Sequence, residues 1–309
     1  MSTQYPSFTR GLKGFAKFNV VFETVTGLLI RMPVSAQAYR IGGADQYPMV
    51  VRKVYGDREL EVPYVPGSSI KGRMRGLLEL SLMLPLYTTD GKIWQHARNL
   101  SAMGREFFND VLERCVVDEL FGWSAANYSQ LLDKARKLGL SESQVRSVYE
   151  LLAPTRLLFS DFFPTREYVE RIGARSITDF LEEKSENRID RITSAADPRS
   201  IVRVKPGVEF EGTITLLFFD HDRDMVLKYL TTLATGLKLV EETYLGASGS
   251  RGYGRVKFKR IFVNVFRVAR QGNVPKLEDV GVKREFSSVD ELLKNVEPLA
   301  REIIGKLYS

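Results

Sequence analysis

Residues 63–76 read Pro-Tyr-Val-Pro-Gly-Ser-Ser-Ile-Lys-Gly-Arg-Met-Arg-Gly. Ahead of them, two runs at 49–55 and 59–65 flank Gly56-Asp57, the pattern of a β-hairpin. Beyond Gly67, the apolar residues Ile70, Met74, Leu77 and Leu78 fall at helical spacing. Ser68 is the expected N-cap, and Pro85 lies past the expected end. Lys71 and Arg75 are four residues apart and so share one face. Gly72 and Gly76 leave the backbone bare for a partner. A helix start offers unpaired N–H groups to an anion. The spacing is not that of a Walker A loop, which needs four residues between its glycine and Gly-Lys-Ser/Thr. On spacing alone, phosphate contact and a plain cap with a solvated basic face both remain open.

A second glycine-rich stretch, residues 245–254, reads Leu-Gly-Ala-Ser-Gly-Ser-Arg-Gly-Tyr-Gly. Its glycines signal unusual backbone angles or close approach, and Arg251 and Tyr253 add charge and a ring for stacking. The competing reading is a turn into the last strand. A third stretch, residues 183–199, alternates charges of both signs with few apolar anchors. It reads as a protruding hairpin or as a solvated loop. Taken together, the two glycine-rich segments point to RNA.

Composition narrows the classes. The chain has 309 residues, 44% hydrophobic and 11% aromatic, enough for a folded core. No run approaches the roughly 18 apolar residues of a membrane span, and residues 1–10 lack an apolar leader core, so a cytoplasmic protein is expected. One cysteine, Cys115, excludes an intrachain disulfide and a cysteine zinc cluster; it is expected in the core. Two histidines, His96 and His221, exclude a His-Glu-x-x-His site, and both are expected at the surface or in caps. A net charge of +7 fits a polyanion partner without requiring one.

Along the chain, strands are expected near 18–25, 156–163, 208–219 and 255–268, and long helices from 68 and over 222–244. Residues 102–152 read as helices, with a capping box at Ser141 and Gln144. Stripped of insertions, the order is strand, helix, strand, strand, helix, strand. This predicts an α+β, ferredoxin-like (RRM-like) βαββαβ fold. The expected palm covers residues 16–85, 154–164 and 206–270. A helical insertion is expected at 86–153, a thumb hairpin at 174–205 and a C-terminal extension at 271–309, with a helix from Val289 to Leu307 as a possible docking element for a neighbour.

Three segments in order carry a family resemblance: 66–72 (Pro-Gly-Ser-Ser-Ile-Lys-Gly), 184–193 (Lys-Ser-Glu-Asn-Arg-Ile-Asp-Arg-Ile-Thr) and 249–254 (Gly-Ser-Arg-Gly-Tyr-Gly). The chain resembles the RAMP superfamily of CRISPR proteins over about residues 16–260. More narrowly, it resembles the repeated backbone subunits of type III-A (Csm) effector complexes. That resemblance implies a palm and thumb, and copies stacked head to tail along a guide RNA beside other effector subunits. It further implies metal-dependent cutting of the paired target RNA at regular intervals. The family's aspartate lies in an Ile-Gly-x-x-Asp pattern followed by Pro, matched by residues 41–48 (Ile-Gly-Gly-Ala-Asp-Gln-Tyr-Pro), so Asp45 is the implied catalytic and metal-binding carboxylate. The implied ion is Mg²⁺ or Mn²⁺. The implied RNA contacts are Gly67, Ser68 and Ser69 through backbone donors, Lys71, Arg73 and Arg75 through charge, and Lys184, Arg191, Arg251, Gly252 and Tyr253 around the same groove. One departure stands out: Leu29 occupies the place of a histidine that the family associates with guide contact, and Arg31 follows nearby. Two other functions remain: a non-cutting RNA scaffold, and an endoribonuclease that matures guide precursors.

Overall fold

The computed structural model describes residues 7–33, 46–88, 90–96, 104–123, 127–152 and 154–309. Its centre is strand β1 (Leu12–Thr24), which starts earlier than expected because alternation already holds there. Ala16, Phe18, Val20 and Phe22 point inward, while Lys17 and Asn19 point outward. The hairpin ahead of the first helix comprises β2 (Val50–Tyr55) and β3 (Arg58–Pro63). Helix α1 spans Gly67–Ser81.

The insertion carries α2 (Arg105–Leu112), α3 (Val116–Phe121), α4 (Tyr128–Lys137) and α5 (Glu142–Leu151). Reciprocal capping boxes start α4 at Asn127 and α5 at Ser141. Helices α2, α4 and α5 hold a core of their own, built on Phe107, Phe108, Leu131, Val145 and Val148, whereas α3 packs into the main core through Val116, Val117, Leu120 and Phe121. The segment expected as one strand at 156–163 is two pieces, β4 (Leu157–Phe159) and β5 (Phe163–Pro164). The break arises because Phe162 exchanges both backbone bonds with Val65 instead.

There follow α6 (Arg166–Arg171), the hairpin strands β6 (Leu181–Ile189) and β7 (Ala196–Val204), β8 (Glu209–Phe219), α7 (Val226–Glu242), β9 (Val256–Gln271), β10 (Val274–Phe286) and α8 (Val289–Leu307). The main sheet runs β10-β9-β1-β8-β4, with β5 also on β8, and every pair is antiparallel. Helices α1 and α7 cross on one face. Gly236 permits the crossing, since a Cβ there would come within 2.5 Å of Met74 Cγ.

The C-terminal extension differs from expectation. β10 enlarges the sheet, and α8 spends its apolar face (Leu292, Val296, Leu299, Ile303) inside its own chain, against α7, β9 and β10. That face is not offered to a neighbouring subunit. The other side of the sheet stays open, with Asn19, Thr213, Glu211, Arg260 and Phe262 around a shallow cavity of about 400 Å³ and Phe15 stacked on Phe266. Among the described residues, no helix is long and apolar enough to cross a membrane.

A buried ionic network joins the insertion to the sheet. Arg156 donates to both oxygens of Asp222 at 2.9 Å, Arg114 reaches Asp222 and Glu119, and Tyr229 donates to Glu119 at 2.6 Å. The bonds from Arg156 hold the Asp222 carboxyl below the usual range, although burial alone would raise it.

Candidate nucleic-acid interface

Backbone bonds knit four segments into one corner. Leu28 and Val204 exchange bonds of 2.9 and 2.8 Å, and Val202 N donates to Gln46 O at 3.0 Å. Ala247 N donates to Leu29 O, and Gly254 N to Gly27 O. The base of the β6–β7 hairpin, the segment after β1 and the glycine loop are therefore one structural unit.

Tyr253 sits in the middle of that unit and is fully buried, packed with Leu29, Ile201 and Ala247. Its hydroxyl donates to Glu186 Oε1 at 2.5 Å, and Lys184 Nζ and Arg203 Cζ lie 4.6 and 4.4 Å from its ring centroid. The expectation that Tyr253 lines the groove as a stacking surface is corrected. Its ring is enclosed by the hairpin, and its hydroxyl pins that hairpin to the loop. Burial, then the Glu186 charge, pushes the Tyr253 phenol up to about 12. The Tyr253 hydroxyl, Arg251 and Lys184 hold the Glu186 carboxyl low, with burial opposing them. Leu29 belongs to the same apolar cluster, so a leucine there adds to packing, while Arg31 is exposed beside it.

The loop is shaped by left-handed residues Ser248 (φ 61°) and Gly252 (φ 82°). Gly249 lies flat on Tyr244, where a Cβ would come within 2.1 Å of the ring. Helix α1 meets the loop through that same tyrosine. Arg73 Nε donates to Tyr244 O at 2.9 Å, and its guanidinium stands 3.9 Å from the ring centroid.

The structure sorts the other α1 candidates. The helix is capped by Pro66 with no side-chain bond, so Ser68 is not the N-cap. Gly67 N–H is already donated to Asp161 Oδ1 at 2.8 Å, and Ser69 N–H to Pro66 O at 2.9 Å. Those two amides are therefore not open phosphate donors as expected, because a carboxylate and a carbonyl occupy them. Arg75 is corrected too. It pairs with Glu79 at 2.7 Å and Asp118 at 3.1 Å and also donates to Gly122 O, clamping α1 to α3. Lys71 has no hydrogen-bond or ion-pair partner among the described residues; burial of its stem and the Arg75 charge lower its pKa. Gly72 and Gly76 border open space, since nothing lies within 4 Å of a Cβ at either.

Beyond the corner, the hairpin walls a cleft of about 760 Å³ lined by Gln46, Glu186, Arg188, Arg191, Arg199 and Arg251, among others. Four guanidinium groups face two carboxylates, Glu186 and Asp197, leaving a positive surplus. Arg188 pairs with Asp197 at 2.8 Å and Arg251 with Glu186 at 3.4 Å. Arg191 is exposed and has no partner among the described residues. At the hairpin tip, Asp190 Oδ1 accepts from the Ile192 and Thr193 amides, and Ile192 is almost wholly exposed. Asp45 lies outside the described residues; Gln46, the next residue, lines the cleft.

Sequence reading missed Glu186, Arg203, Tyr244 and Gln46. Period-two alternation puts Glu186 on the same side as Lys184, a signal that was available. The Arg203–Glu182 pair faces across the hairpin ladder and needs its register to be seen.

The family model for the RAMP superfamily matches residues 22–257. The chain belongs to that superfamily. Among curated relatives, it is 36% identical over 237 residues to "CRISPR system Cms endoribonuclease Csm3" of Methanothermobacter thermautotrophicus, covering 76% of this chain and 80% of that one. It is 32% identical over 249 residues to the protein of the same name from Streptococcus thermophilus, covering 79% and 87%. Among solved structures, the crystal structure of Methanopyrus kandleri Csm3 aligns with a TM-score of 0.54 at 21% identity, over 96% of this chain and 99% of that one.

Proposed function

We propose that this chain is a guide-RNA-binding backbone subunit of a type III CRISPR effector, of the III-A kind, and that it cuts target RNA paired to the guide. One observation carries the reading: three segments far apart in sequence converge on one basic corner. Arg73 of α1 holds Tyr244, Gly249 packs on Tyr244, and Tyr253 and Arg251 hold Glu186 of the hairpin. The core order β1, α1, β4, β8, α7, β9 with spatial order β9-β1-β8-β4 supports a ferredoxin-like palm, with β6–β7 as its thumb.

Lys71, Arg191 and the arginines of the cleft are the cations for phosphates, and bare Gly72 and Gly76 let a backbone approach closely. Sequence choice is left to guide pairing. Copies stack head to tail along the guide, with other effector subunits at the ends, in the cytoplasm.

For cleavage, the RNA supplies its own nucleophile, the 2′-hydroxyl, so the protein must splay the chain in line and assist one proton. Asp45 is the proposed carboxylate, acting as base or holding a divalent ion. Glu186 and Asp197 in the cleft are both ion-paired with arginine, so such an ion would rest on Asp45 and on the RNA's phosphate oxygens. The ion, Mg²⁺ or Mn²⁺, would polarise the phosphate under attack.

The test is cleavage of guide-complementary RNA by the assembled complex, wild type or Asp45→Ala, with Mg²⁺ or EDTA. Regularly spaced cuts lost in both the mutant and EDTA are expected. Cuts that persist in a normally binding Asp45→Ala complex would move catalysis elsewhere. No cuts from the wild type would leave a scaffold.

A further inference from the structure

The cleft beside the hairpin carries a polar group that the protein itself does not use. Gln46 is held at the foot of β7: its carbonyl accepts from Val202 N at 3.0 Å, and it forms a parallel bridge with Ile201. Its side chain is half-buried on the wall of the cleft. The carboxamide Oε1 is shut off from bulk water and accepts no hydrogen bond among the described residues. We propose that this oxygen accepts a hydrogen bond from a ribose 2′-hydroxyl of the guide strand, so that the cleft takes RNA and discriminates against DNA. The inference rests on the guide-binding reading above and adds which group of the guide is recognised.

Two lines of chemistry select the 2′-hydroxyl. The first is the state of the acceptor. A buried carbonyl oxygen without a donor is destabilising, and a ligand that brings a donor recovers that loss. The second is the makeup of the strand. Phosphate and ring oxygens only accept hydrogen bonds, so Oε1 repels them. Within the sugar–phosphate chain the 2′-hydroxyl is the one donor, and DNA lacks it. Base amines also donate, but pairing turns those edges toward the target strand, and sequence choice lies with that pairing.

The cleft suits a backbone rather than a base. Arg188, Arg191, Arg199 and Arg251 line it, and their surplus over Glu186 and Asp197 draws phosphates. None of its lining residues is aromatic, so among the described residues the cleft offers no ring for a base to stack on. The last torsion of a glutamine side chain is broad. Oε1 can therefore turn onto an entering donor while the backbone bond to Val202 stays in place.

The test is a double-mutant cycle on the full chain. Wild type and Gln46→Met are each titrated, by filter binding, with a guide RNA and with the same guide carrying 2′-fluoro groups. Fluorine keeps the sugar pucker of RNA but has no hydrogen to donate. Wild type should bind the fluoro guide roughly three- to tenfold more weakly. Gln46→Met should bind the unmodified guide more weakly by a similar factor, and the fluoro penalty should shrink by that factor in the variant. The salt slope and thermal midpoint of Gln46→Met should match the wild type, since no phosphate contact and no bond within the protein is lost; Arg191→Ala should lower the salt slope instead. An equal fluoro penalty in both proteins would overturn the inference and leave guide binding intact. So would a wild type that binds both guides equally well. A wild type that binds neither would overturn the guide-binding reading, and this inference with it.

Discussion

Tyr253→Phe separates two roles for the glycine loop's aromatic residue. The substitution removes one hydroxyl and keeps the ring. If Tyr253 stacked on a base, phenylalanine would serve almost as well. In the structure the ring is enclosed and the hydroxyl holds Glu186 at 2.5 Å. A hydrogen bond to a charged group contributes about 1.5–3 kcal/mol. Glu186 keeps some solvent and two cations, Arg251 at 3.4 Å and Lys184 at 3.6 Å, so the expected loss is about 1–2 kcal/mol. In a chain of this size that lowers Tm by roughly 2–5 °C. The effect should be local as well: amides of the β6–β7 ladder should exchange about 5- to 30-fold faster, while those of β1 and β8 change little. Differential scanning calorimetry and hydrogen exchange read both. A variant as stable as the wild type, with an unaltered hairpin, would refute the pinning role.

Other predictions follow from the same geometry. Lys71→Ala should leave Tm unchanged but lower guide-RNA affinity and reduce the salt slope by about one ion in filter binding, whereas Arg75→Ala should cost about 3 kcal/mol in denaturant unfolding by stranding Asp118 and Glu79. Gly249→Ala should disturb the loop, because the new methyl meets the Tyr244 ring; loss of the Arg73–Tyr244 contact would show as altered tyrosine fluorescence. Glu186 has a lowered pKa in the fold, so its hold on the hairpin is fully present above the ordinary carboxylate range and is lost as pH falls through the folded value. Hairpin amides should therefore exchange faster only below about pH 4.5, with no step near neutrality.

Much of this was legible in the sequence. Residue alternation located β1 and β8, helical spacing located α1 and α7, and the three glycine and charge signatures marked the corner. What escaped reading depended on partners distant along the chain. Nothing near Gly67 announces that Asp161 takes its amide, and nothing near Arg75 points to Asp118. A basic helix face therefore looked uniformly available, although Arg75 is spent on structure and Lys71 is not. Tyr253 looked like a platform because a short glycine loop suggests exposure; the hairpin that covers it lies about 65 residues upstream. β10 was missed because its polar, charged run lacks β-branched density and gains its place by pairing with β9. His96 reads as a surface residue but is buried, because Cys115 and Asp118 join it only when the insertion folds.

In the proposed complex, α1, the β6–β7 hairpin and the glycine loop form one RNA surface. Photocrosslinking of a 4-thiouridine-labelled guide RNA to the assembled complex, read by mass spectrometry, locates that surface. Adducts within residues 71–76, 184–199 and 248–252 are predicted. Adducts concentrated on Phe15, Phe262 and Phe266, across the open face of the sheet, would contradict it.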